Sequence, residues 1–100
     1  MATTTKALAR TAAATSSTTL YTVPASTTTI VTNIVIANTG SSAYTWTLTF
    51  DGVSIGTSVS IAANSTTVID MKQVLAATKV IAGLASNTAV TFHISGIEVS

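Results

Sequence analysis

The sequence has few of the residue types that carry chemistry. None of its 100 residues is cysteine, so disulfide bonds and thiolate metal sites are excluded. Small secreted domains more often carry disulfides, so this absence favours intracellular production. Charged residues make up 7% of the chain, against about 25% in an average soluble domain. The length predicts one domain, with a core of ordinary size.

The scarcity of charge predicts a protein that is packed among partners. The formal net charge is +1, and 47% of the residues are hydrophobic. Threonine and serine hydroxyls must therefore supply most of the surface polarity. A net charge near zero leaves little repulsion between neighbouring molecules and favours association. We expect an assembly component, and a monomer with a hydroxyl-rich surface is the alternative.

The ionisable residues do not form a catalytic or metal-binding set. Asp51, Asp70 and Glu98 are the only carboxylates, and His93 is the only histidine. General acid–base catalysis needs two tuned groups in one pocket, and a metal site needs several ligands. These residues are spread along the chain, so we expect no enzyme, no metal and no cofactor.

Nucleic acid, membranes and small-molecule substrates are also poor matches to the sequence. The chain has four cations in all, too few for the basic patch that nucleic-acid binding requires. No run reaches the roughly 18 apolar residues of a membrane helix. Residues 1–17 lack the continuous apolar segment of a secretory signal.

The clearest structural signal is a β-hairpin. Four large apolar residues alternate with threonines, which places them on one face of a strand: Tyr44, Trp46, Leu48 and Phe50. The dipeptide Asp51-Gly52 then suits the positive φ angles of a type I′ turn. This two-residue loop predicts that Phe50 lies opposite Val53 and that Leu48 lies opposite Ile55.

Alternating residues and turn signals predict further strands at roughly ten-residue spacing. With the hairpin, the predicted strands are residues 19–23, 28–38, 44–50, 53–61, 66–71, 79–84 and 89–99. Residues 70–75 resemble one helical turn that is capped by Asp70. About seven or eight strands predict an all-β chain, a single antiparallel β-sandwich of jelly-roll or immunoglobulin-like type.

Two strands give more detailed expectations. Ile30, Ile34 and Ile36 should share one face of the second strand. That strand is apolar on both faces, so we expect it to be central and covered on both sides. In the closing strand His93 should face away from its neighbour Phe92.

The first 17 residues differ from the rest. Residues 1–17 are rich in alanine, threonine and serine, with almost no larger apolar group. We expect an extended N-terminal arm at 1–17 and a β-sandwich domain at 18–100. Lys6 and Arg10 carry half of the positive charge with no acid nearby in sequence, so we predict that these two residues bind a partner.

Several stretches resemble a family of short virion structural proteins from tailed bacteriophages. The similarity covers about residues 18–99 and is carried by LYTVPA at 20–25, IVTNIVIANTG at 30–40, FDG at 50–52, IAANS at 61–65 and HISGIE at 93–98. The resemblance implies a β-sandwich in the virion that assembles with copies of itself, commonly as a homotrimer. It implies no catalytic residue.

The resemblance implies two possible roles for such a chain. The first is a head decoration protein that binds the major capsid protein and stabilises the capsid lattice. The second is a tail or fibre component. A third hypothesis, from the fold class alone, is a carbohydrate-binding module. Sugar platforms need exposed aromatic rings, and the alternation turns Tyr44 and Trp46 inward, which argues against that third role.

Overall fold

The chain folds as β-strands. In the computed structural model, which describes residues 3–100, there are eight strands and no helix, so nothing in that range is a helix able to cross a membrane. The strands are β1 (Thr3–Ala12), β2 (Thr18–Thr22), β3 (Thr28–Asn38), β4 (Tyr44–Phe50), β5 (Val53–Ile61), β6 (Thr66–Leu75), β7 (Val80–Ala85) and β8 (Val90–Val99). Strands β2 to β8 each begin within one residue of the predicted start.

The strands form two four-stranded antiparallel sheets. Sheet 1 has the order β1-β8-β3-β6, and sheet 2 has the order β2-β7-β4-β5. The pairs β1–β8, β2–β7, β3–β6 and β4–β5 are nested, as in one long hairpin folded over on itself, which is the jelly-roll order. The predicted β-sandwich is confirmed, in its jelly-roll form.

The β4–β5 hairpin forms as predicted at its turn and differs further along. Asp51 has a φ of 53° and Gly52 a φ of 75°, as a type I′ turn requires. Phe50 lies opposite Val53. Leu48 lies opposite Gly56 and not opposite Ile55, because the register shifts between Leu48 and Thr49. A bulge therefore interrupts β5 near Gly56, and the predicted pair of Leu48 with Ile55 is wrong.

The core lies between the two sheets. Three of the four predicted core residues of β4 are buried, with exposed fractions of 3% for Trp46, 0% for Leu48 and 6% for Phe50, and Tyr44 is partly buried. Phe92 is also fully buried, while His93 lies on the opposite face and is partly exposed, as predicted. Val53 is 68% exposed because β5 is the outer strand of sheet 2.

Strand β3 is central, as predicted, but its faces differ from the prediction. Val31, Ile34 and Ile36 are buried together, whereas Ile30 lies on the other face and is only partly buried. The cause is a register shift after Val31 against both neighbouring strands, which changes the alternation. The outer face of sheet 1, turned away from sheet 2, is left uncovered within the described chain.

Residues 3–12 belong to the sandwich and not to the extended arm predicted at 1–17. They form β1, which pairs with β8 at one edge of sheet 1. The register shifts between Ala7 and Ala9, which turns Leu8 into the core with an exposed fraction of 7%. The segment does order on an exposed strand edge, but that edge belongs to its own chain. Residues 1 and 2 of the predicted arm lie outside the described residues.

The predicted helical turn at residues 70–75 is wrong. These residues continue β6, which runs along β3 from Thr66 to Leu75. Asp70 lies opposite Asn33 in the sheet and caps no helix. The long edge of β3 pairs with Asp70 and, after a register shift, with Gln73, Val74 and Leu75. This pairing overrides the weak local preference for one helical turn.

Candidate interaction surface

The two cations predicted to bind a partner lie close together on sheet 1. Strand β1 places Lys6 opposite Gly96 and Arg10 opposite His93. Both residues line one open groove of about 460 Å³. The remaining lining residues come from the three adjacent strands β1, β8 and β3: Thr5, Ala7, Thr32, Ser95, Gly96 and Ile97. We call this surface the β1 groove.

The chemistry of the β1 groove suits a carboxylate. Three lining side chains carry hydroxyls, from Thr5, Thr32 and Ser95. The two ion pairs found within residues 3–100 involve other cations, so Arg10 has no carboxylate partner there. A guanidinium binds carboxylates in a bidentate manner. Arg10 can therefore provide a charged contact for an acidic side chain of another molecule.

Lys6 has a carboxylate partner within its own chain. Its Nζ atom lies 3.4 Å from Glu98 Oε2 and 5.9 Å from the centroid of the Tyr21 ring. The sequence shows no acid near Lys6, because Glu98 follows it by 92 positions. Lys6 therefore forms an intramolecular contact between β1 and β8.

A small polar cluster holds the sheets together at this end of the sandwich. The Tyr21 hydroxyl donates a hydrogen bond to Glu98 Oε2, and it lies 2.8 Å from Thr29 Oγ1. Burial raises the pKa of the Tyr21 phenol, and the contact with Glu98 raises it further. The hydrogen bond from Tyr21 lowers the pKa of the Glu98 carboxyl against partial desolvation, and Lys6 lowers it further. The cluster therefore favours an ionised Glu98 beside a protonated Tyr21.

The cluster predicts a pH-dependent stability. Because the folded state lowers the pKa of Glu98, its contribution is present above the unfolded pKa of about 4.3 and is lost as the pH falls through the folded pKa. Glu98→Gln should therefore melt below wild type at neutral pH, and the difference should shrink in acid. Thermal melts across this pH range measure it, with Asp51→Asn as the control for an exposed carboxyl. A difference that stays constant with pH would rule out this role for Glu98.

The outer face of sheet 1 also carries apolar side chains. Val68 and Val74 on β6 are 63% and 67% exposed. Cross-strand pairing places Val68 beside Val35, and Val74 beside Ile30. Isolated exposed apolar residues are ordinary, but a contiguous exposed group marks an interaction surface. The sequence predicted that both faces of residues 28–38 are covered, and within the described residues no second sheet covers the outer face.

The other ionisable residues do not gather into a site. Asp51 lies 3.7 Å from Lys79 at the hairpin end of sheet 2. Within residues 3–100, no three side chains of His, Asp or Glu are grouped so as to hold a metal ion. Of the two aromatic residues considered for sugar binding, Trp46 is 3% exposed and Tyr44 is partly buried against the core. The Trp46 ring therefore offers no surface platform.

Sequence reasoning missed two residues of this region. Leu8 anchors β1 in the core, yet it is one leucine in an alanine-rich segment. Glu98 lies beside the chain end and gives no local sign of a partner. The one available signal was that Leu8 is the single larger aliphatic side chain after Met1 in residues 1–17.

Comparisons with known proteins bear on the fold. No protein-family model and no curated protein sequence matches the chain. One solved structure that is similar is a chain from the "Structure of infectious bursal disease virus Gx strain", with a TM-score of 0.56 and 12% sequence identity. The match covers 97% of this chain and 30% of that chain, so this chain spans less than a third of its neighbour. The similarity is one of fold.

Proposed function

We propose that this chain is a virion structural protein, and specifically a head decoration protein of a tailed bacteriophage that binds the outer surface of the capsid. The observation that carries the proposal is the uncovered outer face of sheet 1, where the β1 groove adjoins exposed apolar side chains. The structure with a similar fold is a chain from a virus, which supports a role in a virus particle. The tailed-phage assignment rests on the sequence resemblance.

The proposed contact combines charge with apolar burial. Arg10 meets a carboxylate of the major capsid protein at the groove, and the hydroxyls of Thr32 and Ser95 complete its hydrogen bonds. Burial of apolar side chains on the same face supplies the non-directional part of the affinity. The role needs no catalysis and no cofactor. The protein joins the virion after synthesis in the host cytoplasm.

Reversing the charge of Arg10 is expected to weaken binding to particles. A hydrogen bond to a charged group contributes about 1.5–3 kcal/mol, so Arg10→Glu should weaken binding about tenfold or more. The loss should be larger at low salt, because salt screens exposed charges. The assay measures occupancy on particles that lack the protein, over a concentration series.

The matched control is Lys79→Glu, which makes the same charge change beside the hairpin turn of sheet 2, outside the lining of the β1 groove. An exposed ion pair such as Lys79–Asp51 contributes little to stability, so this variant should fold. Equal affinity of wild type and Arg10→Glu would contradict the proposed contact. Equal weakening by both variants would point to net charge and not to the groove.

Copy number separates head from tail. A decoration protein is present in hundreds of copies per particle, whereas a tail or fibre component is present in a few to tens. Quantitative mass spectrometry of purified particles gives this number directly. A few to tens of copies per particle would favour the tail or fibre component.

A further inference from the structure

Strand β6 is a long edge of sheet 1. It runs for ten residues, Thr66–Leu75, and its register against β3 shifts between Asp70 and Gln73. Exposed and half-buried residues nevertheless alternate from Thr66 to Lys72. Natural edges are usually blocked by proline, by charges, by β-bulges or by short strands. This edge has no proline and two charges of opposite sign, Asp70 and Lys72. Neither residue takes part in the ion pairs found within residues 3–100.

The side chains of β6 alternate between the core and the outer face. Ile69 and Met71 pack against the core, and Leu75 is buried. The even-numbered residues are exposed on the outer face: Thr66, Val68, Asp70, Lys72 and Val74. The two most apolar of them lie symmetrically about Met71, as do the two charges.

This symmetry makes the edge complementary to itself. In an antiparallel pair, residues directly opposite one another share a face and contact each other. When two copies of β6 pair about a two-fold axis at Met71, Val68 lies opposite Val74 and Asp70 lies opposite Lys72. The two-fold axis creates two apolar pairs between Val68 and Val74 and two pairs of opposite charge between Asp70 and Lys72.

Neighbouring registers do not achieve this. An axis at Asp70 would place two copies of that carboxylate opposite each other and would pair Val68 with Lys72. An axis at Lys72 would pair two ammonium groups and place Asp70 opposite Val74. A shift of one residue would set outer-face side chains opposite core-face ones. The pattern therefore selects the register centred on Met71.

We propose that two copies of this chain associate through β6, in antiparallel register about Met71, and join their sheets 1 into one eight-stranded sheet. Such an interface is isologous, because each copy contributes the same residues. The chain's low net charge leaves little repulsion against the contact. Strand β6 contributes no residue to the lining of the β1 groove, so its pairing leaves the lining residues of both copies unoccupied. The proposal concerns the free protein and does not depend on capsid binding.

Charge exchange tests the proposed register. Sedimentation or light scattering of the full chain should give twice the 10.1 kDa monomer mass. Lys72→Asp places like charges opposite each other at both pairs, so the dissociation constant should rise about tenfold. Asp70→Lys should do the same. The double variant, Asp70→Lys with Lys72→Asp, restores opposite charges and should return the constant to near the wild-type value.

Cysteine cross-linking gives an independent result, since the chain has no cysteine of its own. The double variant Val68→Cys with Val74→Cys should form a covalent dimer on mild oxidation, because opposed residues lie within disulfide reach. Val68→Cys alone should not cross-link, since the two copies of residue 68 lie several residues apart along the paired strands. A wild-type monomer or trimer, a dimer unaffected by Lys72→Asp, or equal cross-linking by the single variant would each overturn the proposal.

Discussion

Trp46→Ala is expected to lower the free energy of unfolding by about 3–5 kcal/mol, as large-to-small changes of buried aromatic residues do. Trp46 is 3% exposed on β4, in the middle of sheet 2. Its ring also covers Gly56, where a Cβ atom would lie 2.7 Å from the ring. Removing the ring therefore opens a cavity between β4 and the β5 bulge. Denaturant unfolding with a fluorescence-independent probe measures the change.

Trp46→Phe is the matched control, because it keeps most of the apolar volume. The indole Nε1 is buried and has no hydrogen-bond partner in the described structure. Phenylalanine lacks that donor, so the control should cost much less than alanine. Native fluorescence of wild type should be shifted to the blue of free tryptophan in water. An unshifted spectrum, or equal losses for both variants, would place Trp46 on the surface.

Deleting residues 1–12 is expected to destabilise the domain strongly. The deletion removes all of β1, leaves the edge of β8 unpaired and uncovers the core at Leu8. Leu8→Ala alone should cost about 2–5 kcal/mol, and the deletion should cost more. Circular dichroism and thermal melts measure both changes.

Leu8→Met serves as the control, since exchange between these residues conserves volume and usually costs less than about 1.5 kcal/mol. A truncated chain that melts like the full chain would show that residues 1–12 form an arm that the fold does not need. The same result would show that the Lys6–Glu98 contact adds no measurable stability.

Local patterns predicted most of the sandwich. The turn at Asp51-Gly52 and the alternation before it located β4 and the start of β5. Short-range signals were sufficient there, because turn chemistry and side-chain alternation agreed. They failed where a bulge changed the alternation, as after Val31, since a bulge depends on pairing with distant strands.

Local patterns could not predict that residues 3–12 form a strand of the sandwich. An alanine-rich segment with one leucine looks like a free arm, because no local feature shows that β8 offers an edge. The same reason hid the contact between Lys6 and Glu98, which are distant in sequence and adjacent only in the jelly roll. Arg10 was identified from its charge alone, and the fold adds the groove around it.

Imaging purified particles by electron cryomicroscopy tests directly whether the protein binds the outer surface of the head. We expect jelly-roll density there, with the outer face of sheet 1 and Arg10 turned toward the major capsid protein. Density on the tail, or on the head with that face turned to solvent, would contradict it.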